Sequence, residues 1–168
     1  MWGMIATWRM ALEGIQKVTP ILSKEGVAGD AIEGAIKEVE DFPYFKSVGY
    51  GGLPNEKMEV ELDAAYLDGS HFNFGAVCAI KNFANPISIA RELSHYKVNN
   101  VLVGQGAQEF ARSRHFEEKE MLTDRAKIHY HNRLKDLEQE QLSPYAGHDT
   151  VGMVALDTHG DMVAGTST

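Results

Sequence analysis

Apolar residues recur along this chain at two different periods, and the switching between them outlines a fold of mixed helices and strands. Met4-Ile5-Ala6-Thr7-Trp8 is a short apolar run that reads as a strand. From residue 11 to 24, Leu12, Ile15, Val18, Ile21 and Leu22 fall at steps of three and four, a helical period. Pro20 has no amide hydrogen and is expected to kink this helix or start a new one at Thr19. Gly26 is the expected C-cap. A second helix is expected from about Val27 to Glu40, with Ala31, Ile32, Ala35, Ile36 and Val39 on one face and Pro43 closing it. Ser47-Val48-Gly49-Tyr50-Gly51-Gly52 is dense enough in glycine to be a loop of tight turns.

Residues 60–69 alternate at the period of a strand, and Phe74 to Ile80 reads as a second one. Asp68-Gly69-Ser70 supplies hairpin-turn chemistry between them. Both strands carry small and apolar residues on both faces, the pattern of a sheet covered on both sides. Asn85 and Pro86 open a helix as N-cap and first residue. Val101-Leu102-Val103 reads as a short buried strand, and Gly104-Gln105-Gly106 leads into a helix near residues 105–113. Residues 117–142 are charged, with a helical pattern through Ile128, Leu134 and Leu137, and residues 143–147 are expected to form a loop. A strand then runs to Asp157, a turn covers 158–161, and another strand starts at Met162. These last two are apolar on both faces. They belong in the middle of a sheet, with neighbours and a cover that this chain is not expected to supply.

Composition narrows the class. A chain of 168 residues with 43% hydrophobic and 24% charged residues suits one domain with a real core. The net charge of −8 argues against nucleic acid or anionic lipid as a partner, since both attract basic surface. Cys78 is the lone cysteine, so no intrachain disulfide can form, and a buried, inert thiol is expected. No apolar run is long enough for a membrane-spanning helix. The first ten residues lack the layout of a signal peptide, although one could have been removed. The compartment is not set by these features, and the cytoplasm is favoured.

No cofactor and no metal are expected. No Gly-Lys-Ser/Thr word follows the glycine-dense loop. A dinucleotide loop would need a third glycine at position 109, which is Glu109. His129 and His131 alternate on an expected helix and point to different faces.

The candidate chemistry lies in His148-Asp149-Thr150-Val151-Gly152-Met153. A threonine that starts a strand is usually a β-branched residue in its preferred setting. Here it also follows a His-Asp pair in a loop. The Thr150 hydroxyl can attack the Asp149 carbonyl, shift the acyl group from nitrogen to oxygen, and let water cut the chain. Thr150 would then own a free α-amine with a pKa of roughly 7.7–8.0, placing base and nucleophile in one residue.

This word resembles the cleavage and nucleophile motif of the glycosylasparaginases (aspartylglucosaminidases), which are N-terminal-nucleophile hydrolases. Thr7-Trp8 and residues 47–52 and 85–91 resemble segments of the same family, and residues 101–111 resemble it more loosely. Plant-type asparaginases share a Thr-Val-Gly strand without the His-Asp-Thr-Val-Gly-Met word. The resemblance implies an α+β fold, the four-layer αββα sandwich, present here in part: residues 1–149 as an α subunit and 150–168 as the start of a β subunit. It implies Thr150 as nucleophile and His148, Asp149 and Thr150 as the autoproteolysis motif. It also implies Trp8 in the substrate pocket, Ser47 near the active site, and Thr168 as the second threonine, whose hydroxyl holds the nucleophile's amine. The implied substrate is a small glycoasparagine, and the implied assembly a homodimer of αβ units. Family members continue past this point with an arginine and an aspartate for the substrate's α-groups and a Thr-Gly oxyanion hole. An oxyanion donor is worth roughly 3–4 kcal/mol of barrier. The alternatives are an L-asparaginase or β-aspartyl peptidase, and an inactive truncated homologue.

Overall fold

The computed structural model describes residues 1–139 and 150–168. His148, Asp149 and the expected loop before them lie outside the described residues. One six-stranded sheet carries the fold: β1 (Gly3–Ala6), β2 (Leu62–Asp68), β3 (Asn73–Ile80), β4 (Val101–Val103), β5 (Val151–Leu156) and β6 (Met162–Ser167). Their spatial order is β1-β5-β6-β2-β3-β4, antiparallel throughout except for the parallel β3–β4 pair. Thus β5 lies between β1 and β6, and β6 between β5 and β2. The two strands do have neighbours on both sides, contrary to the expectation from sequence. Those neighbours come from residues far away along the chain, which local pattern does not reveal.

The helices are α1 (Leu12–Ser23), α2 (Ala28–Glu40), α3 (Pro86–Leu93), α4 (Gln105–Ser113) and α5 (Asp124–Glu138). Val151, Met153 and Ala155 of β5, Val163 and Gly165 of β6, and Leu62, Ala64 and Tyr66 of β2 are buried on the face that α2 and α3 cover. A side chain at Gly165 would meet Ile32, Ile36 and Ile87, which shows how closely those helices approach the strand. The opposite face is open among the described residues. The strand registers align Ile5, Val154, Ala164, Leu67 and Phe74 in one apolar row across five strands. Ile5 in that row is 71% exposed. The expectation of cover on both faces is therefore met on one face by the described residues.

Local expectations hold with instructive exceptions. Helix α1 continues past Pro20 to Ser23, with no new helix starting at Thr19; proline has no donor for the Gln16 carbonyl, which costs one helix bond. The left-handed residue at its end is Glu25 (φ 62°), and Gly26 comes one position later. Gly26 N–H donates to Ile21 O at 2.8 Å and Glu25 N–H to Leu22 O at 3.3 Å, the paired bonds of a Schellman end. Strand β4 is an exposed edge rather than a buried strand, with Val103 61% exposed. Cys78, on β3, is half-buried, and burial first and the Asp63 carboxylate second push its thiol pKa up.

Asn85 takes the N-cap position of α3 with a left-handed backbone, but its side chain does not cap the helix. Helix α2 likewise has no capping side chain at Val27. Its first amide, Ala28 N–H, donates instead to Asp157 Oδ2 at 2.9 Å, from the turn between β5 and β6. Among the described helices only α5 is capped from its own N-cap, by Thr123 Oγ1 accepting from Ala126 N–H at 3.1 Å.

Candidate active site

Antiparallel pairing brings four chain segments to one end of the sheet. Strand β1 leads there into Thr7 and Trp8, Thr150 directly precedes β5, Thr168 directly follows β6, and Asp63 is the second residue of β2. Val151 pairs with Ser167, so Thr150 and Thr168 stand at the facing ends of two hydrogen-bonded strands. Side chains alternate along a strand. Ser167 is therefore buried against the helices while Thr168 turns toward the open side, half-buried, and Thr150 is exposed.

Each of these residues is held in place. Thr168 and Asp63 exchange backbone bonds of 2.9 and 3.1 Å. Thr168 Oγ1 donates to the Ser47 carbonyl at 3.0 Å. The loop carrying Ser47 closes on itself, with Leu53 N–H bound to Lys46 O at 2.8 Å and Gly52 N–H bound to Gly49 O at 3.1 Å. A recess of about 190 Å³ opens beside Thr168, bordered by Lys46, Ser47, Glu61 and Asp63. Asp63 Oδ1 accepts from the Ala79 amide at 2.7 Å, where β3 kinks through a positive φ of 50°.

Trp8 lies one residue past the last β1–β5 bond, the 2.9 Å bond from Thr7 N–H to Gly152 O. Its backbone, at φ 63° and ψ 151°, occupies a region that side chains disfavour, and the residue is 60% exposed. Such strain costs on the order of 1–3 kcal/mol and collects at functional positions. Thr7 Oγ1 accepts from Gly152 N–H at 2.9 Å and lies 3.2 Å from the Thr150 carbonyl oxygen, to which it can donate. Thr7 is thus the side chain that touches the candidate nucleophile's own backbone. Sequence reasoning named Thr7 within a family-like word but assigned it no role, since nothing local places it beside residue 150.

Of the residues expected from sequence, the fold gathers Thr150, Thr168, Trp8 and Ser47 at this end, Ser47 through its carbonyl. His148 and Asp149 lie outside the described residues. What the arrangement offers is a hydroxyl at a strand start, a second hydroxyl on the adjoining strand, and an open approach from the uncovered face. Among the described residues no cluster of His, Cys, Asp and Glu could hold a metal ion, and no helix is long and apolar enough to cross a membrane.

The family model described as Asparaginase matches residues 6–168. The chain is 37% identical over 164 residues to an N(4)-(β-N-acetylglucosaminyl)-L-asparaginase of Elizabethkingia miricola, covering 98% of this chain and 48% of that protein. It is 34% identical over 167 residues to an isoaspartyl peptidase/L-asparaginase of Xenopus laevis, covering 97% of this chain and 53% of that protein. The human isoaspartyl peptidase/L-asparaginase is 36% identical over 151 residues, covering 88% and 49%. The chain spans about half the length of these curated relatives.

Proposed function

The chain belongs to the Asparaginase family of N-terminal-nucleophile hydrolases, and from that premise we propose that its protein is an amidohydrolase activated by cutting its own chain before Thr150. The observation that carries this reading is the placement of Thr150 directly before β5 and Thr168 directly after β6, next to the paired Val151 and Ser167, with Thr7 against the Thr150 carbonyl. In maturation, Thr150 Oγ attacks the Asp149 carbonyl and the C–N bond breaks. The acyl group then sits on oxygen as an ester, and water hydrolyses it. The products are the Asp149 carboxylate and a free Thr150 amine. His148 belongs to this cleavage motif. The chain is thereby divided into an α subunit of residues 1–149 and a β subunit starting at Thr150.

In turnover, the Thr150 amine takes the proton from its own hydroxyl, which attacks the side-chain amide carbon of a substrate asparagine. The C–N bond of that amide breaks, and the amine returns the proton to the leaving nitrogen. Water then cleaves the β-aspartyl ester and releases aspartate. Thr168 Oγ1 orients the amine. Trp8 walls the pocket, and Ser47 lines it beside Thr168. The favoured substrate is N-acetylglucosaminyl-asparagine, supported by the His-Asp-Thr-Val-Gly-Met word and by the Elizabethkingia relative's name. The reading extends to a homodimer of αβ units. A second reading, L-asparaginase or β-aspartyl peptidase, is supported by the names of the Xenopus and human relatives.

Two measurements on the full-length protein test this. Intact-mass spectrometry should find scission between Asp149 and Thr150 without added protease, and none in Thr150→Ala; a folded wild type that stays uncut counts against the nucleophile. The kcat/KM for N-acetylglucosaminyl-asparagine should exceed that for β-aspartyl dipeptides. A tenfold preference for the dipeptide, about 1.4 kcal/mol at the transition state, would move the protein to the second reading.

A further inference from the structure

Glu40 is the last residue of α2 and has no exposed surface. It occupies the apolar stripe of its helix, four residues after Ile36, where an aliphatic side chain would bury without any need for partners. The carboxyl group instead reaches two other elements. Oε1 accepts from Ser167 Oγ at 2.6 Å and from the Ile87 backbone N–H at 3.1 Å, and Oε2 accepts from Asn85 Nδ2 at 3.3 Å. The Ile87 amide belongs to the first turn of α3, so Glu40 is the cap that Asn85 does not provide. The main chain of Glu40 holds a further element. Its carbonyl accepts from Tyr50 N–H at 2.7 Å. The 47–52 loop folds over it at Gly49 (φ 65°), where any side chain would run into the Glu40 backbone.

Besides its backbone exchange with Asp63, Thr168 has two further restraints, and these converge on one residue. The strand beneath Thr168 is pinned at Ser167, which pairs with Val151 on one side and Ala64 on the other. The carbonyl that receives Thr168 Oγ1 belongs to Ser47, on the loop anchored to Glu40. We propose that Glu40 is a positioning residue for the reaction at Thr150: through Ser167 and the 47–52 loop it sets where Thr168 Oγ1 stands relative to the nucleophile. This role rests on Thr150 being the nucleophile, as proposed above. Glu40 touches no reacting atom. It acts by keeping two strand ends in register to within the few tenths of an ångström over which a hydrogen bond keeps its strength.

Burial pushes the Glu40 carboxyl up to about 8, against the pull of the Ser167, Ile87 and Asn85 donors, and the neighbouring Asp41 adds to the rise. At neutral pH the group is mostly protonated, so a glutamine amide is its nearest substitute in charge and shape. Methionine fills a similar volume without a strong acceptor.

The test is made in the full-length protein with Glu40→Met, Glu40→Gln and Ser167→Ala, each assayed per molecule of cleaved enzyme. Glu40→Met should lower kcat by about tenfold or more with KM within twofold of wild type. Glu40→Gln should restore kcat to within about threefold. Ser167→Ala leaves the cap on α3 in place and should reproduce the loss in kcat, and Glu40→Met combined with Ser167→Ala should lose little more than either alone. A role in stability alone would lower the melting temperature and leave kcat unchanged. Should Glu40→Met fail to fold, Ser167→Ala against wild type decides. A cleaved, active wild type matched in kcat by the folded variants overturns the positioning role alone. An uncut and inactive wild type overturns the Thr150 reading together with it.

Discussion

Thr7 illustrates how a single hydroxyl gains its meaning from a partner 143 positions away. Its Oγ1 accepts the Gly152 amide and reaches the Thr150 carbonyl, so it steadies the first two peptide units of β5. Thr7→Val keeps the β-branched shape and removes both contacts. One hydrogen bond of this kind is worth about 1 kcal/mol, or roughly fivefold in rate if it is maintained in the transition state. The variant should mature at least about fivefold more slowly than wild type, followed by the appearance of the two subunits on a denaturing gel. Maturation at the wild-type rate would show that Thr7 serves β1–β5 pairing alone. The exposed, strained Trp8 next to it was expected as a site residue through its word in the sequence. Its backbone strain was not, because strain depends on what holds the neighbouring residues.

At the scale of elements, the recurrent device is a helix capped from a distance. Asp157 accepts from Ala28 N–H at 2.9 Å, and from His159 and Asp161 N–H at 3.0 and 3.1 Å within its own turn. Burial tends to raise its pKa, but the backbone donors of Ala28, Asp161 and His159 hold the carboxyl below the usual range. A carboxyl depressed in the folded state adds stability that is fully present above its unfolded pKa of about 3.9. That stability is lost as pH falls through the folded value. Asp157→Ala should therefore cost about 2–3 kcal/mol at pH 7, from one lost cap, the stranded buried amide of Ala28 and the lost turn bonds to His159 and Asp161. The deficit should shrink in melts taken below about pH 4. An equal loss at pH 3 and pH 7 would mean that charge plays no part. The same turn was readable from Thr158-His159-Gly160-Asp161; its second task, starting α2, was not.

At the scale of the whole molecule, one face of the sheet is packed and the other has no cover among the described residues. The row of Ile5, Val154, Ala164, Leu67 and Phe74 lies in water together with Met162, and a shallow apolar trough of about 380 Å³ runs between β1, β5 and β6. Each large apolar side chain left exposed forgoes roughly 1.5–3 kcal/mol of burial, against a typical domain stability of about 5–15 kcal/mol. Expressed alone, residues 1–168 should associate through this face and show no amidase activity. Size-exclusion chromatography with light scattering reads the outcome: a dimer or larger species is expected, and a monomer with a sharp cooperative melt would show that the open face needs no cover. The net charge of −8 opposes association weakly, since screening at physiological salt confines it to about 8 Å.

The element sequence, most helix and strand bounds, the hairpin turns and the nucleophile word were all set by residues close together in the chain. Period, turn chemistry and β-branching act over a few positions, so they can be read there. The half-αββα architecture came into view through resemblance, as did the roles proposed for Thr150, Trp8, Ser47 and Thr168. The tertiary structure alone decided the strand order that puts β1 and β2 beside β5 and β6, the exposure of β4, and the remote caps on α2 and α3. The acid in the apolar stripe at Glu40 was visible in the sequence as a break in pattern, but its partner, Ser167, lies 127 positions away. Hydrogen-bond partners and strand neighbours are chosen by which surfaces pack together. That choice depends on the sum of contacts over the whole core, and no window of neighbouring residues contains it.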